Sequence, residues 1–253
     1  MINPMDLSGK HILVAGASSG IGAETARQIT RLGGKVSLLA RREEKLQEVM
    51  ASLEEQRGKY YVLDFANTED IADVVEQIYK EQGAFDGAVY SVGESINRPL
   101  KLLKPEKINR MVAINYLGFV EFVRCITMKK FRATEMSIVG ISSVASEHGE
   151  KAKVAYCSTK AAMNGAMRAM AHELASNNIR VNNVLPGWVK TVMYDKSVNG
   201  MLAETIVKEM EMIQYMGEPL ETIDVANAVC FLLSDAARFI TGTEMLVAGG
   251  SLS

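Results

Sequence analysis

Apolar positions along the chain fall into two alternating patterns. Short continuous runs occupy positions 11–15, 35–39, 60–63, 87–91, 137–141, 180–185 and 243–247. Runs of this length and branching predict strands buried on both faces. Between them, apolar residues recur at helical spacing over about 19–32, 43–55, 68–81, 107–130, 156–176, 201–212 and 222–233. Strands separated by helices predict a parallel sheet with right-handed crossovers and helices on both faces. The fold class expected is α/β, a doubly wound, mostly parallel seven-stranded sheet. No internal repeat, low-complexity tract or linker interrupts the pattern, so one domain over residues 1–253 is expected.

Composition narrows the function. Hydrophobic residues make up 48% and charged ones 23%, with a net charge of −2. Such a balance carries no electrostatic footprint for nucleic acid or an acidic membrane. No apolar run reaches the roughly 18 residues that span a bilayer. The start of the chain lacks the charged and apolar regions of a signal peptide. Cys125, Cys157 and Cys230 have no metal-ligand spacing and no paired spacing. Free thiols in a reducing compartment follow. A cytoplasmic protein without a metal is therefore expected.

The first strand runs into Gly16-Ala17-Ser18-Ser19-Gly20-Ile21-Gly22, and a helix opens at once. Glycines let the backbone turn sharply and let a pyrophosphate approach the amides. The helix then presents unpaired N–H groups and the positive end of its dipole. A strand, a glycine loop and a helix in the first unit predict a dinucleotide site.

Tyr156 and Lys160 stand four residues apart, which places them on one helix face with Cβ atoms roughly 5–6 Å apart. A free tyrosine has a pKa near ~10. An ammonium at ~4 Å in an effective dielectric of ~20 favours the phenolate by about 4 kcal/mol. The pair therefore predicts a proton donor and acceptor tuned toward working pH by the lysine. Ser143, thirteen residues before the tyrosine, offers a hydroxyl to hold a carbonyl oxygen. Ser142 is the alternative. His148 lies in the same connection and is a lesser candidate for touching substrate.

The spacing Gly-x3-Gly-x-Gly, together with Ser143, Tyr156 and Lys160, resembles the short-chain dehydrogenase/reductase family over nearly the whole chain. Further marks occur in order. Asp64-Phe65 ends the third strand, Asn115 lies in Ile114-Asn115-Tyr116-Leu117-Gly118, and Pro186-Gly187-Trp188-Val189-Lys190-Thr191 follows the sixth strand. The resemblance implies a Rossmann-type fold and a nicotinamide cofactor. It assigns Asn115, Ser143, Tyr156 and Lys160 to catalysis. It assigns Gly16, Ser18, Ser19, Gly20, Ile21, Gly22, Asp64, Phe65, Ser91, Val92, Gly93, Tyr156, Lys160, Pro186, Gly187, Val189 and Thr191 to the cofactor. Asn115 is expected to kink its helix and hold a water that relays protons to Lys160.

The end of the second strand decides between cofactors. Leu38-Leu39-Ala40-Arg41-Arg42 carries alanine where an acidic residue would repel a 2′-phosphate. A guanidinium grips phosphate with paired donors. Arg41 and Arg42 therefore favour NADP(H) over NAD(H).

Three positions depart from the family pattern: Ala15 before the first glycine, Tyr90-Ser91-Val92-Gly93 after the fourth strand, and Ala248 before Gly249-Gly250. Altered bracing is expected from them. The resemblance implies a mobile, methionine-rich lid over about 191–216, with an apolar, adaptable pocket beneath it. It also implies a homotetramer, or a homodimer, through the helix rich in small residues after Tyr156. Lys129, Lys130 and Arg132 form a basic surface, either simply solvated or open to an acidic acyl-carrier protein. A reversible carbonyl reductase is expected, with 3-oxoacyl thioesters, sugars, polyols and small ketones open as substrates. A non-catalytic NADP(H)-binding regulator is the alternative from another class; the presence of both Tyr156 and Lys160 speaks against it.

Overall fold

The computed structural model describes residues 3–191, 216 and 218–251. The strands are β1 (His11–Ala15), β2 (Lys35–Ala40), β3 (Gly58–Val62), β4 (Phe85–Tyr90), β5 (Arg132–Ile141), β6 (Ile179–Pro186) and β7 (Glu244–Val247). All pair in parallel, in the order β3-β2-β1-β4-β5-β6-β7. The order reverses between β1 and β4. In such sheets ligands bind in the crevice beyond the carboxyl ends of the strands flanking that switch. The fold is thus the α/β, Rossmann-type arrangement that the alternation predicts.

The helices are α1 (Gly20–Arg31), α2 (Glu43–Ala51), α3 (Ile71–Gln82), α4 (Pro105–Val112), α5 (Gly118–Ile126), α6 (Ala145–His148), α7 (Val154–Leu174) and α8 (Thr222–Leu233). Alternate strand residues face opposite sides, and both sides are covered. Leu13, Leu39, Ala88 and Ile138 pack on one face with Val75, Phe122 and Met163 from α3, α5 and α7. Ile12, Val14, Leu38 and Val139 pack on the other with Ala26, Ile29 and Val229 from α1 and α8.

Two predicted elements differ in form. Strand β5 begins at Arg132, five residues before the expected start, because the polar stretch Arg132–Glu135 continues the strand at its exposed end. The helix expected over 107–130 is α4 and α5 joined by a π-helical turn at Ala113–Leu117. The helix predicted at 201–212 and most of the lid lie outside the described residues.

Gly140 allows the close approach of sheet and helix beneath the site. A Cβ there would lie 2.3 Å from Asn183 Oδ1 and 2.5 Å from the Met163 methyl carbon. Helix α7 therefore rests directly on β5 and β6 just before both strands reach their carboxyl ends.

Candidate active site

β1 delivers the glycine loop to the crevice. Gly16 has φ of +83° in the left-handed region, and a Cβ on it would sit 2.6 Å from the Ser91 carbonyl oxygen. The Ser91 N–H donates to the Ala15 carbonyl at 2.9 Å, so backbone ties the ends of β1 and β4. Gly22 has a different task from the one expected: it does not line the cavity. A Cβ on it would lie 2.4 Å from the Gly16 carbonyl oxygen, so it lets α1 pack against the loop.

Ser19 occupies the N-cap of α1 but makes no side-chain cap. Its hydroxyl instead accepts from Arg42 Nη2 at 2.8 Å, and Ser18 accepts from the same nitrogen at 2.9 Å. Arg42 thus braces the loop and brings a positive charge to it, where Ala15 supplies no hydroxyl. Arg41 stands beside Asp64, with Nη1 and Oδ2 3.7 Å apart and both side chains partly exposed. Asp64 also accepts the Ala66 N–H at 3.0 Å, closing the turn after β3. Open amides, a glycine cradle and two guanidiniums fit the pyrophosphate and adenosine half of a dinucleotide.

At the other end, β5 stops at Ile141 and places Ser142 and Ser143 beside α7. The Ser142 hydroxyl donates to the Lys160 carbonyl at 3.3 Å and is buried against the helix backbone. Ser143 instead accepts the Ala145 N–H at 3.2 Å and lines the cavity with Tyr156. Lys160 Nζ lies 5.9 Å from the centre of the Tyr156 ring and donates to the Ile141 carbonyl at 2.7 Å. Gly93 packs beside it: a Cβ there would stand 3.5 Å from Nζ, an ordinary contact.

The electrostatics correct one expectation. Burial pushes the Tyr156 phenol up to about 12, only partly offset by Ser143, while burial lowers Lys160 to about 8. The lysine does not pull the tyrosine down in the protein alone. Its ammonium is committed to a backbone carbonyl, and removing both groups from water favours their neutral forms.

Asn115 also acts differently from its expected role. Its side chain does not line the cavity. Oδ1 accepts the Glu94 N–H at 2.9 Å, while Nδ2 donates to the Glu94 carbonyl and to Thr159 Oγ1, each at 3.0 Å. It staples the segment following β4 to α7. The helix around it is drawn into a π turn. Tyr90, fully buried, donates its hydroxyl to the Ile114 carbonyl within that turn at 2.6 Å.

The remaining groups line one cavity of about 310 Å³. It brings together Gly16, Ser18, Ser19, Gly20, Ile21, Arg41, Arg42, Asp64, Phe65, Ser91, Val92, Gly93, Ser143, Tyr156, Lys160, Pro186, Gly187, Val189 and Thr191. Residues 16–251 match the family model described as enoyl-(acyl carrier protein) reductase. The chain is 33% identical to 3-oxoacyl-[acyl-carrier-protein] reductase of Rickettsia bellii (strain RML369-C), over 98% of this chain and 99% of that protein. The chain belongs to the short-chain dehydrogenase/reductase family.

Other short-chain dehydrogenases/reductases of similar likeness include a 3alpha-hydroxysteroid dehydrogenase of Mediterraneibacter gnavus, 29% identical over 98% of this chain and 99% of that one. A solved short-chain dehydrogenase/reductase from Mycobacterium ulcerans superposes with a TM-score of 0.89 at 30% identity, covering 97% of this chain and 90% of that chain. The protein is accordingly an oxidoreductase acting on CH–OH and C=O groups.

The sequence reading of this short-chain dehydrogenase/reductase missed part of the cavity wall. Glu94, Ser95, Glu150, Lys153 and Trp188 also line it. Lys153 stands three residues before Tyr156, on the same helix face, and that spacing was the signal available. The expected apolar pocket thus has a polar wall on its described side. His148 does not line the cavity. Of the basic surface, Lys130 pairs with Glu76 at 3.4 Å and Arg132 donates to the Asn177 carbonyl at 3.2 Å. Among the described residues no cluster has the makings of a metal site, and no helix is long and apolar enough to cross a membrane.

Proposed function

We propose that the protein is an NADP(H)-dependent reductase that interconverts a carbonyl and a secondary alcohol, with 3-oxoacyl thioesters as the leading substrate class. The observation that carries this reading is Ser143, Tyr156 and Lys160 on the wall of one cavity, with Lys160 Nζ 5.9 Å from the centre of the Tyr156 ring. Ser143 orients the substrate oxygen toward the phenol. Tyr156 gives its proton to that oxygen during reduction and takes it back during oxidation. A phenol pushed up to about 12 is protonated at neutral pH, which is the form reduction needs.

A bound nicotinamide supplies or accepts the hydride, and that chemistry belongs to the cofactor. Lys160 holds its ribose, and Asn115 keeps α7 and the segment after β4 in register around it. Ser18, Ser19 and the open end of α1 hold the pyrophosphate. Arg41 and Arg42 hold a 2′-phosphate, which favours NADP(H). The proposed unit is a single domain over 1–253, cytoplasmic, with three free cysteines. It assembles as a homotetramer or homodimer and meets its thioester on an acyl-carrier protein. The names of the relatives, which span 3-oxoacyl and steroid substrates, keep sugar, polyol and small-ketone substrates within the same reading.

The test is an NADPH oxidation screen against ketones and 3-oxoacyl thioesters, run with the protein and with Tyr156→Phe. Turnover with at least one 3-oxoacyl thioester is expected. Tyr156→Phe is expected to lose more than about a hundredfold in kcat, the usual worth of a proton donor, with NADPH binding retained. Substantial turnover by the variant removes Tyr156 from the reaction.

A further inference from the structure

The segment after β4 leaves the cavity wall and becomes basic, apolar and exposed. Glu94 and Ser95 still line the cavity. Arg98 is three residues further on, so its Cα lies within about 11 Å of that wall. From there the chain reads Arg98-Pro99-Leu100-Lys101-Leu102-Leu103-Lys104-Pro105-Glu106-Lys107. Arg98, Lys101, Lys104 and Lys107 are exposed, and none of them forms an ion pair among the described residues. Lys45, Lys59, Lys80 and Arg124, exposed elsewhere, each pair with a carboxylate. Between the cations stand Leu100 and Leu102, 70% and 60% exposed.

As a structural choice this stretch is unfavourable. Lys104 is the N-cap of α4 and makes no side-chain cap, and Lys107 lies in the first turn. The positive end of the helix dipole opposes a cation at either place, and a serine or aspartate would cap better. The stretch is nevertheless held in one shape. Pro99 and Pro105 fix the backbone near its two ends. The Leu102 N–H donates to the Pro99 carbonyl at 2.8 Å and the Leu103 N–H to the Leu100 carbonyl at 3.1 Å, closing the turn that carries the exposed leucines. The Arg98 N–H donates to the Ala152 carbonyl at 2.8 Å, which ties the stretch to the segment before α7. Asn115 holds its root at Glu94. Cations and apolar side chains kept in order, exposed and without partners describe a preorganised contact surface.

We infer that the stretch from Arg98 to Lys107 is where an acidic acyl-carrier protein docks while its thioester reaches Ser143 and Tyr156. The inference rests on the reading of the substrate as a 3-oxoacyl thioester. Four cations against one carboxylate within the stretch, Glu106, complement an acidic partner, and Leu100 and Leu102 supply apolar anchors. The nearby carboxylates of Glu94 and Glu150 do not cancel that charge, because Arg110 and Lys153 take them. The basic surface of Lys129, Lys130 and Arg132 is placed less well. Arg132 pairs with Phe85 at the amino end of β4, whereas the cavity lies beyond the carboxyl end of that strand. The six residues of β4 put about 20 Å between them.

The experiment compares two substrates with one reacting group: 3-oxobutanoyl-acyl-carrier protein and 3-oxobutanoyl-N-acetylcysteamine, which has no protein attached. Steady-state kinetics with NADPH are measured at low salt. Lys101→Glu with Lys104→Glu is expected to raise KM for the carrier thioester about tenfold at unchanged kcat, and to leave the small thioester within about twofold. Added salt is expected to raise KM for the carrier thioester in the unaltered protein and not for the small one. Lys129→Glu with Lys130→Glu is expected to change neither. Equal effects on the two thioesters, no effect on either, or a loss that follows Lys129 and Lys130 instead overturns the inference while leaving the reductase reading in place. Leu100→Ser with Leu102→Ser is expected to raise the same KM and keep the number of chains per particle in light scattering. A smaller particle makes this face a contact between copies of the chain and overturns the inference too. Absence of turnover of either thioester by the unaltered protein overturns the substrate reading and the inference together.

Discussion

Tyr156 shows how far a residue's chemistry depends on what surrounds it. Four-residue spacing to Lys160 predicted a lowered phenol, and that inference counted only the ammonium. Burial and the Ile141 carbonyl were invisible in the sequence, and they reverse the sign. The serine was more legible: thirteen residues separate Ser143 from Tyr156, and the structure puts both on one cavity wall while the Ser142 hydroxyl turns to the helix backbone. The two arginines divide their work in a way that sequence order does not reveal. Arg42 is held by both loop serines, whereas Arg41 has only a long, partly exposed contact with Asp64. Such an exposed pair contributes little to stability, so Arg41 is free to serve a ligand. Arg41→Ala is expected to raise KM for NADPH about tenfold or more and leave KM for NADH within about twofold, as the loss of one bidentate phosphate contact implies. Steady-state kinetics with both cofactors checks it; equal effects remove the assignment.

Among the elements, the strands were legible because buried runs between helices have no other economical reading. The break between α4 and α5 was not. A π turn adds one residue to a helical circuit without changing which residue types occupy it, so apolar periodicity passes through it unmarked. Its cause lies in tertiary contacts. Gly118 leaves space for Tyr90, whose hydroxyl a Cβ there would meet at 2.5 Å, and Tyr90 binds the Ile114 carbonyl. Tyr90, one of the residues that depart from the family pattern, thus supports the turn carrying Asn115. Tyr90→Phe leaves the ring packing against Phe65 and Phe119 but strands a buried carbonyl. A loss of about 1–3 kcal/mol in stability is expected. Urea denaturation measures it. The π turn's role in placing Asn115 further predicts a lower kcat at unchanged KM for NADPH.

The whole molecule adds a pH limit that no motif announced. His11, at the start of β1, is buried with Nδ1 against the Ala84 carbonyl at 3.1 Å and Nε2 against the Ser37 hydroxyl at 2.9 Å. Burial, aided by Lys35, lowers it to about 4. The unfolded chain, with an ordinary imidazole near ~6.5, then binds more protons than the native state between those values. Stability is fully present above about pH 6.5 and declines as pH falls toward 4, by about 2–3 kcal/mol. Denaturation across that range is expected to show the decline, and His11→Gln to flatten it. Assembly belongs to the same scale. Phe239 is 91% exposed and Leu246, on the edge strand β7, is 48% exposed. Light scattering is expected to give about four chains per particle, or two, and Phe239→Ser with Leu246→Lys to lower that number. A monomer counts against the assembly.

Gly140 has a consequence for mutational tolerance. It contacts neither cavity nor solvent, and in a scan of random substitutions it would look like an ordinary core position. Any side chain there has to push Met163 or Asn183 aside, and α7 with them. The next residue is Ile141, whose carbonyl holds Lys160. Selection for catalysis therefore reaches a residue that touches no ligand. A library built around the cavity alone would leave out one of the positions on which its geometry depends.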